Sequence, residues 1–597
     1  MSVRRFRLND SAPITPFATP IRGTPGPDDL AALAEGDSVY GLGGDDRLFS
    51  AYNLTRLNGG GDDDEITTDL THAGPAAAAS RAAALQSGEA GDDTLWGRIR
   101  LTALDPEDPF HSVTAILRQS GGDGDDTLTA EIVSLGTASG FFNAVLSGGA
   151  GDDVITAFLR GPAGSADATM LNRIDGGAGA DLISADVYSS GGFLEGFAEN
   201  KVSGAAGDDQ VDATAVAEGV GFATALNSVY GGAGNDHVHA ETSAGTDVGR
   251  TLQANSVWGG DGRDVIDVGH FFGLNAFSDI DNVVWGGAGS DMILAAIDHR
   301  PGYEQYGLDA LNDLSGGSGD DSLSARIRAN VYSDFTLENR LSGGGGDDVL
   351  RSEIVVSFES GEANLLSSRS ALRGGSGNDR LTAVGGQANL LDGGTGADRM
   401  TGGTGDETYV VDTFRDVTIE APGASGGTDT VRAWVNHRLA AGIENLTLLG
   451  TDLRGVGNGL ANVLTGNASD NRLVGLEGAD RLIGGGGSDL LEGGAGADTI
   501  VVDLRPGRTG VLTLADFART ADILEFVGIE DAGAPGLVDD LDALAEFDDA
   551  GPGGLVQISI GGIELRLPGR GTGAVDSFAD IVANPATQLV AAEDLFA

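Results

Sequence analysis

The sequence predicts an all-β chain coiled as a stacked solenoid. Three observations predict it. A Gly-Gly-x-Gly-x-Asp-x-apolar motif recurs along most of the 597 residues. The copies keep a fixed register. The stretches between them alternate apolar and polar residues with a period of two, the signature of a strand with one buried face.

The clear copies run from Gly121 to Leu128, Gly148 to Ile155, Gly176 to Ile183, Gly231 to Val238 and Gly259 to Ile266. Others run from Gly286 to Ile293, Gly316 to Leu323, Gly343 to Leu350, Gly374 to Leu381, Gly393 to Met400, Gly484 to Leu491 and Gly493 to Ile500. Near the N-terminus the apolar position recurs every nine residues, at Leu30, Val39, Leu48, Leu57 and Ile66. The same spacing returns at Leu464, Leu473, Leu482, Leu491 and Ile500. Between these blocks the Asp steps through 126, 153, 181, 209, 236, 264 and 291, at intervals of 27 or 28. A self-similar period of this kind is the mark of a repeat architecture, in which each unit buries its apolar face on its neighbours.

Each middle repeat of about 28 residues reads as two long strands. Leu323, Ala325, Ile327, Ala329 and Val331 alternate with polar residues, and so do Leu350, Ser352, Ile354, Val356 and Phe358. The glycine turn closes one edge, and an irregular loop such as Gly161 to Asp167 closes the other. A three-sided β-helix is the competing arrangement, since 27 is three times nine.

Two columns support stacking. A small residue follows the motif's apolar position by two: Ala130, Ala157, Ala185, Ala213, Ala240, Ala295, Ala325, Ser352 and Ala383. An asparagine precedes the first Gly by four: Asn172, Asn200, Asn227, Asn255, Asn282, Asn312, Asn339 and Asn389. An apolar residue always stands two further on, so the Asn shares the inward face. A buried amide must be hydrogen-bonded. Stacked at one strand spacing, about 4.8 Å, these side chains are expected to satisfy one another as an internal ladder.

Composition bounds the function. There are 90 Asp and Glu against 35 Lys and Arg, a formal net charge of -55, with 98 Gly and no Cys. Such charge excludes a nucleic-acid binder, which needs a basic surface, and disfavours anionic membranes. Without Cys there are no disulfides, zinc ribbons or thiol catalysis. The chain is 40% hydrophobic, enough for a core. The carboxylates must therefore be neutralised on folding. No apolar run reaches the roughly 18 residues of a membrane span, so no transmembrane segment is expected. Residues 1 to 22 start basic but lack an apolar core, so no cleavable secretory signal is expected there.

The nonapeptide array resembles the haemolysin-type, repeat-in-toxin (RTX) family of calcium-binding proteins, most strongly over residues 23 to 70 and 373 to 503. The resemblance implies a parallel β-roll, with two nonapeptides per 18-residue turn at the ends and about 28-residue turns in the middle. It implies Ca2+ as the cofactor, in multiple sites. The chemistry suits the composition. Ca2+ takes six to eight oxygens, glycines let carbonyls approach an ion closely, and the Asp adds a carboxylate. One loop supplies half a shell and the next turn the rest.

By resemblance the ligands are the motif's carboxylates and main-chain carbonyls. The matching carboxylates are Asp126, Asp153, Asp181, Asp236, Asp264, Asp291, Asp321, Asp348, Asp379, Asp398, Asp489 and Asp498. The turns that would present them begin at Gly121, Gly148, Gly176, Gly231, Gly259, Gly286, Gly316, Gly343, Gly374 and Gly393. Ions would stand in single file in the middle and on both edges of the nonapeptide blocks. Several loops depart from the pattern. Glu89 and Ala205 replace the second Gly, Asp62 replaces the fourth, and Glu407, Asn462 and Asn471 replace the Asp. Weaker half-sites are expected there.

The ends also resemble family parts. Residues 401 to 456, with Thr408 to Asp412, Asp429 to Val431 and Glu444 to Leu448, look like an insert of secreted members. Leu512 to Phe517, Asp522 to Ile529 and the Val556 to Leu567 hairpin look like the C-terminal β cap. The expected organisation is an extension (1–22), a calcium-binding parallel β-solenoid (23–400), a strand-rich insert (401–456), a nonapeptide β-roll (457–503) and a cap with the secretion-signal region (504–597). The tail, Glu593 to Ala597, fits an uncleaved type I signal.

Other candidate sites are weak. The seven His are scattered without a metalloprotease pattern, and His237 and His239 read as strand positions. Gly423 to Gly427 matches GxSxG but lacks its strand-turn-helix context. Tyr230, Trp258 and Trp285 share one register position, a cross-rung ladder or a sugar platform. No catalytic motif stands out, and an enzyme is not expected. The resemblance implies a secreted bacterial protein that folds on Ca2+ after export by the type I machinery. A structural, surface or adhesive/matrix role fits best. The alternative is a polysaccharide-acting enzyme or glycan binder. Partners would be calcium ions, with a cell-surface polysaccharide or a second copy of the chain as alternatives.

Overall fold

The structure, a computed structural model, describes residues 20–73, 80–102, 112–135, 139–161, 168–190, 195–246, 249–271, 277–299, 307–331, 335–358, 366–420, 427–529, 537–571 and 575–592. The fold is a parallel β-solenoid. Two compact units are present, residues 1–339 with 355–367, and residues 340–354 with 368–597.

In the first unit each turn places one strand in each of two parallel sheets. Leu182–Ser190 lies in one sheet and Glu195–Ala206 in the other; Gln210–Gly219 then pairs with the former and Phe222–Ala233 with the latter. The middle turns are therefore two-sided, and the three-sided arrangement is set aside. Two long strands win because their alternation is unbroken: Gln210–Gly219 buries every second residue from Val211 to Ala217. At the N-terminal end the step shortens to one nonapeptide pair, Asp29 facing Arg47 and Arg47 facing Glu65 in parallel.

The motif's apolar position forms one continuous inward column. Leu128, Ile155, Ile183, Val211, Val238, Ile266, Ile293 and Leu323 face one another turn by turn, each at most 1% exposed. Burial of each stabilises the fold by about 1.5–3 kcal/mol. The small column lies beside it, Ala130 to Ala157, Ala185, Ala213 and Ala240, with Val268 standing in before Ala295 and Ala325.

Small side chains let the opposite sheet come close. Asn200 Nδ2 reaches across to the carbonyls of Ala185 and Thr214, both at 2.9 Å. The predicted Asn ladder is present from Asn172 to Asn339, but Asn389 does not join it: its strand neighbour is Ser370, and its amide donates to Glu407 Oε1 at 2.6 Å. Nδ2 donates to the next Oδ1 from Asn172 to Asn200 (2.9 Å), Asn227 (3.0 Å), Asn255 (2.9 Å), Asn282 (3.0 Å), Asn312 (2.8 Å) and Asn339 (2.8 Å). These amides are at most 1% exposed. A shorter amide ladder, not anticipated, joins Gln119 to Gln86 at 2.7 Å. The irregular loops on the far edge, including most of Gly161 to Asp167, lie outside the described residues.

In the second unit one parallel sheet runs through Ala388–Thr395, Asp406–Val411, Thr430–Ala433, Asn445–Leu448, Val463–Thr465, Arg481–Ile483, Thr499–Asp503 and Ile523–Val527, ending on Leu589–Ala592. The opposite side is carried first by Arg380–Gly385, Arg399–Thr401 and Val417–Ile419, then by a second sheet from His437–Arg438 to Gly510–Leu514. From Arg454 to Arg472 and on to Leu490 the pairing repeats with the 18-residue step.

The C-terminal cap has the expected hairpin. Ile560 faces Ile563 across Gly561 and Gly562, both at positive φ (57° and 95°), as a tight two-residue turn requires. It is not purely β. Short helices at Leu537–Leu544, Phe578–Ile581 and Pro585–Gln588 were not foreseen. The Asp542 carboxylate accepts from Ser577 Oγ and Phe578 N, fixing the second helix against the first. Among the described residues no helix is long and apolar enough to cross a membrane. GxSxG residues 423–426 and the tail Glu593 to Ala597 lie outside the described residues.

Candidate metal centres along the glycine turns

Each glycine turn carries its Asp inward from the end of one strand to the start of the next, and the Asp side chain links two turns. Asp126 N donates to Asp153 Oδ1 at 2.8 Å, Asp153 N to Asp181 Oδ1 at 2.9 Å, and Asp236 N to Asp264 Oδ1 at 2.9 Å. Asp264 continues to Asp291 (2.9 Å) and Asp291 to Asp321 (2.8 Å). In the second unit Asp348 joins Asp379 and Asp379 joins Asp398, both at 2.8 Å. Asp489 and Asp498 are held alike, accepting from Asn471 N (2.8 Å) and Asp480 N (2.9 Å) on different strands. All twelve predicted carboxylates are at most 2% exposed.

One oxygen of these carboxylates is thus satisfied, and in nine of them the other is not. The Oδ2 atoms of Asp126, Asp153, Asp181, Asp236, Asp264, Asp291, Asp379, Asp398 and Asp489 are buried without a hydrogen-bond partner. A buried, unpaired carboxylate is expensive and takes up either a proton or a cation. Burial pushes Asp126 and Asp181 up to about 6 and Asp153 and Asp264 up to about 7. The N–H bond to Oδ1 opposes this, and neighbouring carboxylates add to it.

The glycines explain where the free oxygen points. A methyl group on Gly148 would lie 2.0 Å from Asp153 Oδ2 and 2.5 Å from the carbonyl oxygen of Gly176 in the next turn. The same pair of oxygens crowds Gly121, Gly176, Gly231, Gly259, Gly286 and Gly374, where the next-turn carbonyls include those of Gly316 and Gly393. At Gly343 and Gly393 a methyl would meet Asp348 Oδ2 at 2.1 Å and Asp398 Oδ2 at 2.3 Å. The second glycine supplies backbone shape: Gly149 has φ 129°, with the Gly122 carbonyl 2.0 Å from any Cβ. Carboxylate and carbonyl oxygens from adjacent turns therefore converge. These are hard donors, and the set fits Ca2+ rather than a softer metal.

The position before the Asp makes a second, exposed line of bonds in the opposite direction. Asp125 N donates back to Asp92 Oδ1 (2.9 Å), and Asp152 N to Asp125 Oδ1 (2.8 Å).

Several carboxylates omitted by the strict motif share the arrangement. Asp46, Asp64, Asp93, Asp209 and Asp480 are buried, with Oδ2 unpartnered. Each follows a glycine by five: Gly41, Gly59, Gly88, Gly204 and Gly475. That spacing was the missed signal. The other glycines can be replaced, because Leu42 (φ 99°), Asp62 (76°), Glu89 (92°), Ala205 (82°) and Leu476 (87°) hold the same left-handed backbone.

Tyr230, Trp258 and Trp285 form a stacked row, with ring centroids 4.3 Å apart at 3° and 4.9 Å apart at 9°. Both faces of Trp258 are covered by its neighbours, the geometry of a cross-rung ladder. His237 and His239 lie on one strand, and His239 Nδ1 sits 3.7 Å from Asp267 Oδ2, an exposed pair.

A parallel β-solenoid with a carboxylate and carbonyl oxygens converging along its glycine turns defines a class of repeat protein. The RTX calcium-binding nonapeptide repeat matches residues 22–51, 140–158, 172–187, 227–246, 252–269, 281–298, 338–353, 384–417 and 457–500. Those segments carry the RTX repeat, and RTX repeats bind calcium. A search of curated proteins gives no match. Among solved structures, the extracellular lipase LipA from Serratia marcescens aligns at 20% identity with a TM-score of 0.14, over 45% of this chain and 40% of the lipase.

Proposed function

We propose that this is a secreted bacterial protein whose glycine turns take up Ca2+ after export and that folds as they fill, serving a structural, surface or adhesive/matrix role. One observation supports it above others: buried, unpartnered Asp Oδ2 atoms, which in the turns of Asp126, Asp153, Asp181, Asp236, Asp264, Asp291 and Asp379 lie beside a carbonyl of the next turn. Asp126 to Asp498 are the proposed ligands, with main-chain oxygens of the turns beginning at Gly121 to Gly393. At low Ca2+ the like charges of a -55 chain repel and keep it extended for the type I machinery. Outside, binding free energy becomes folding free energy. The test is circular dichroism of the full chain during Ca2+ titration and chelation. Loss of the β signal on chelation and its return with Ca2+ are expected. A chelated chain at neutral pH with its full β spectrum overturns the reading. Localising the Ca2+-loaded protein on cells, in assemblies or in the medium then separates a surface role from a diffusible one.

A further inference from the structure

The stretch that interrupts the repeat holds a cluster of a different kind. Glu407 lies on Asp406–Val411, Asp429 immediately precedes Thr430–Ala433 in the same sheet, and Glu420 follows Val417–Ile419 of the opposite sheet. One oxygen from each carboxylate lies within 4.8 Å of the other two. Two oxygens bound to one Ca2+ at about 2.4 Å can be no further apart than about 4.8 Å.

The remaining bonds leave an unfilled centre. Asn389 Nδ2 donates to Glu407 Oε1 at 2.6 Å, Glu407 N donates to Asp429 Oδ1 at 2.8 Å, and the Tyr409 hydroxyl donates to Glu420 Oε1. No N–H or O–H group donates to Glu407 Oε2, although Glu407 is 1% exposed. Among the described residues no Lys or Arg pairs with any of the three carboxylates, and residues 421–426 contain no basic side chain. Gly402 keeps the space open. A methyl there would lie 2.1 Å from Tyr409 Oη and 2.9 Å from Glu420 Oε1. Three converging carboxylates, two buried and one half-buried, without a counter-charge among the described residues are not stable as an ionised set.

We infer that Glu407, Glu420 and Asp429 bind one Ca2+ ion that ties the two sheets together where the glycine turns lapse. This site differs from those of the turns. Its donors are side-chain carboxylates from both sheets, and Glu420 lies outside any repeat motif.

The test is anomalous diffraction from crystals of the full chain grown with Ca2+, and with Tb3+ exchanged for it. A peak is expected between the three carboxylates. Crystals of Glu420→Gln and of Glu407→Gln should lose that peak and keep those of the glycine turns. Peaks at the turns with none at the cluster in the wild type overturn the inference and leave the reading of the turns standing. So does a peak of full height in the doubly substituted chain. If the variants fail to fold, the wild-type map alone decides. A carboxyl pair sharing a proton gives no peak at all, and Glu407→Gln then melts no lower than wild type in saturating Ca2+.

Discussion

Asn389 and Glu407 face each other across paired strands, and the amide of one donates to the carboxylate of the other at 2.6 Å. One register column thus changes its chemistry at this point. Beyond Glu407 it continues through Asp429, Glu444, Asn462, Asp480 and Asp498, each one residue before a paired strand position. In the first unit the same kind of column runs from Asp37, beside Ser38, through Thr55, Ala84, Leu117 and Ala144 to the amide ladder at Asn172. Where a short strand ends at this register, a glycine turn presents a carboxylate. Where the strand runs on, the position is interior, and small or apolar side chains fill it until the amides begin at Asn172.

Asp153→Asn should separate charge from hydrogen bonding. Its oxygen can still accept the Asp126 N–H, now 2.8 Å away, but the free Oδ2 loses its charge. We expect the variant to fold in saturating Ca2+ with its folding midpoint moved several-fold to higher Ca2+. Asp153→Ala should cost a further 1–3 kcal/mol or so, because the Asp126 N–H is orphaned. Calcium titrations followed by circular dichroism check both.

Acid should partly replace calcium. The metal-free fold holds Asp93, Asp153, Asp209, Asp264 and Asp489 near 7, raised by burial from 3.8. Between these values the folded state binds more protons than the unfolded state. Its stability is therefore fully present below the unfolded value and is lost as pH rises through about 7. A chelated sample should gain β signal from pH 8 down to about pH 4.5, whereas Ca2+ affinity should rise with pH over the same range. A chelated sample with a flat signal across that range contradicts this.

The backbone exceptions can be repaired. Ala205 sits at φ 82°, a conformation costing an L-residue roughly 1–2 kcal/mol. After the extra unfolded-state entropy of glycine, Ala205→Gly should stabilise the Ca2+-loaded protein by about 0.5–1 kcal/mol. Gly148→Ala should do the reverse, because its methyl would occupy the space between Asp153 Oδ2 and the Gly176 carbonyl. Thermal melts at fixed Ca2+ report both.

The amide ladder should matter for stability and not for calcium. Asn255→Ala removes the donor to Asn282 Oδ1, at 3.0 Å, and the acceptor for Asn227 Nδ2. We expect a loss of about 1–3 kcal/mol with bound Ca2+ per chain unchanged by equilibrium dialysis. A fall in bound Ca2+ would show that the ladder and the turns are coupled.

Much of this was legible in sequence because the repeat samples each position many times. The inward apolar column, the Asn ladder and the Asp register follow from spacing and period alone. Other features did not. Asp209 and Asp480 fall outside the strict motif because Ala205 and Leu476 stand where it has glycine, yet both residues hold the same left-handed backbone (φ 82° and 87°). Glu420 carries no motif, and only folding brings it beside Glu407. The helices of the cap follow no repeat, and Leu537–Leu544 is too short for its periodicity to outweigh the β context.

Asp-to-Asp bonds that span 27, 28, 29, 30, 31 or 33 residues each close at 2.8 or 2.9 Å, and so do those that span 18 or 19, from Asp480 to Asp498 and from Asp379 to Asp398. The edge of glycine turns is thus a spine of constant rise. How much chain is spent between one step and the next does not change the step itself.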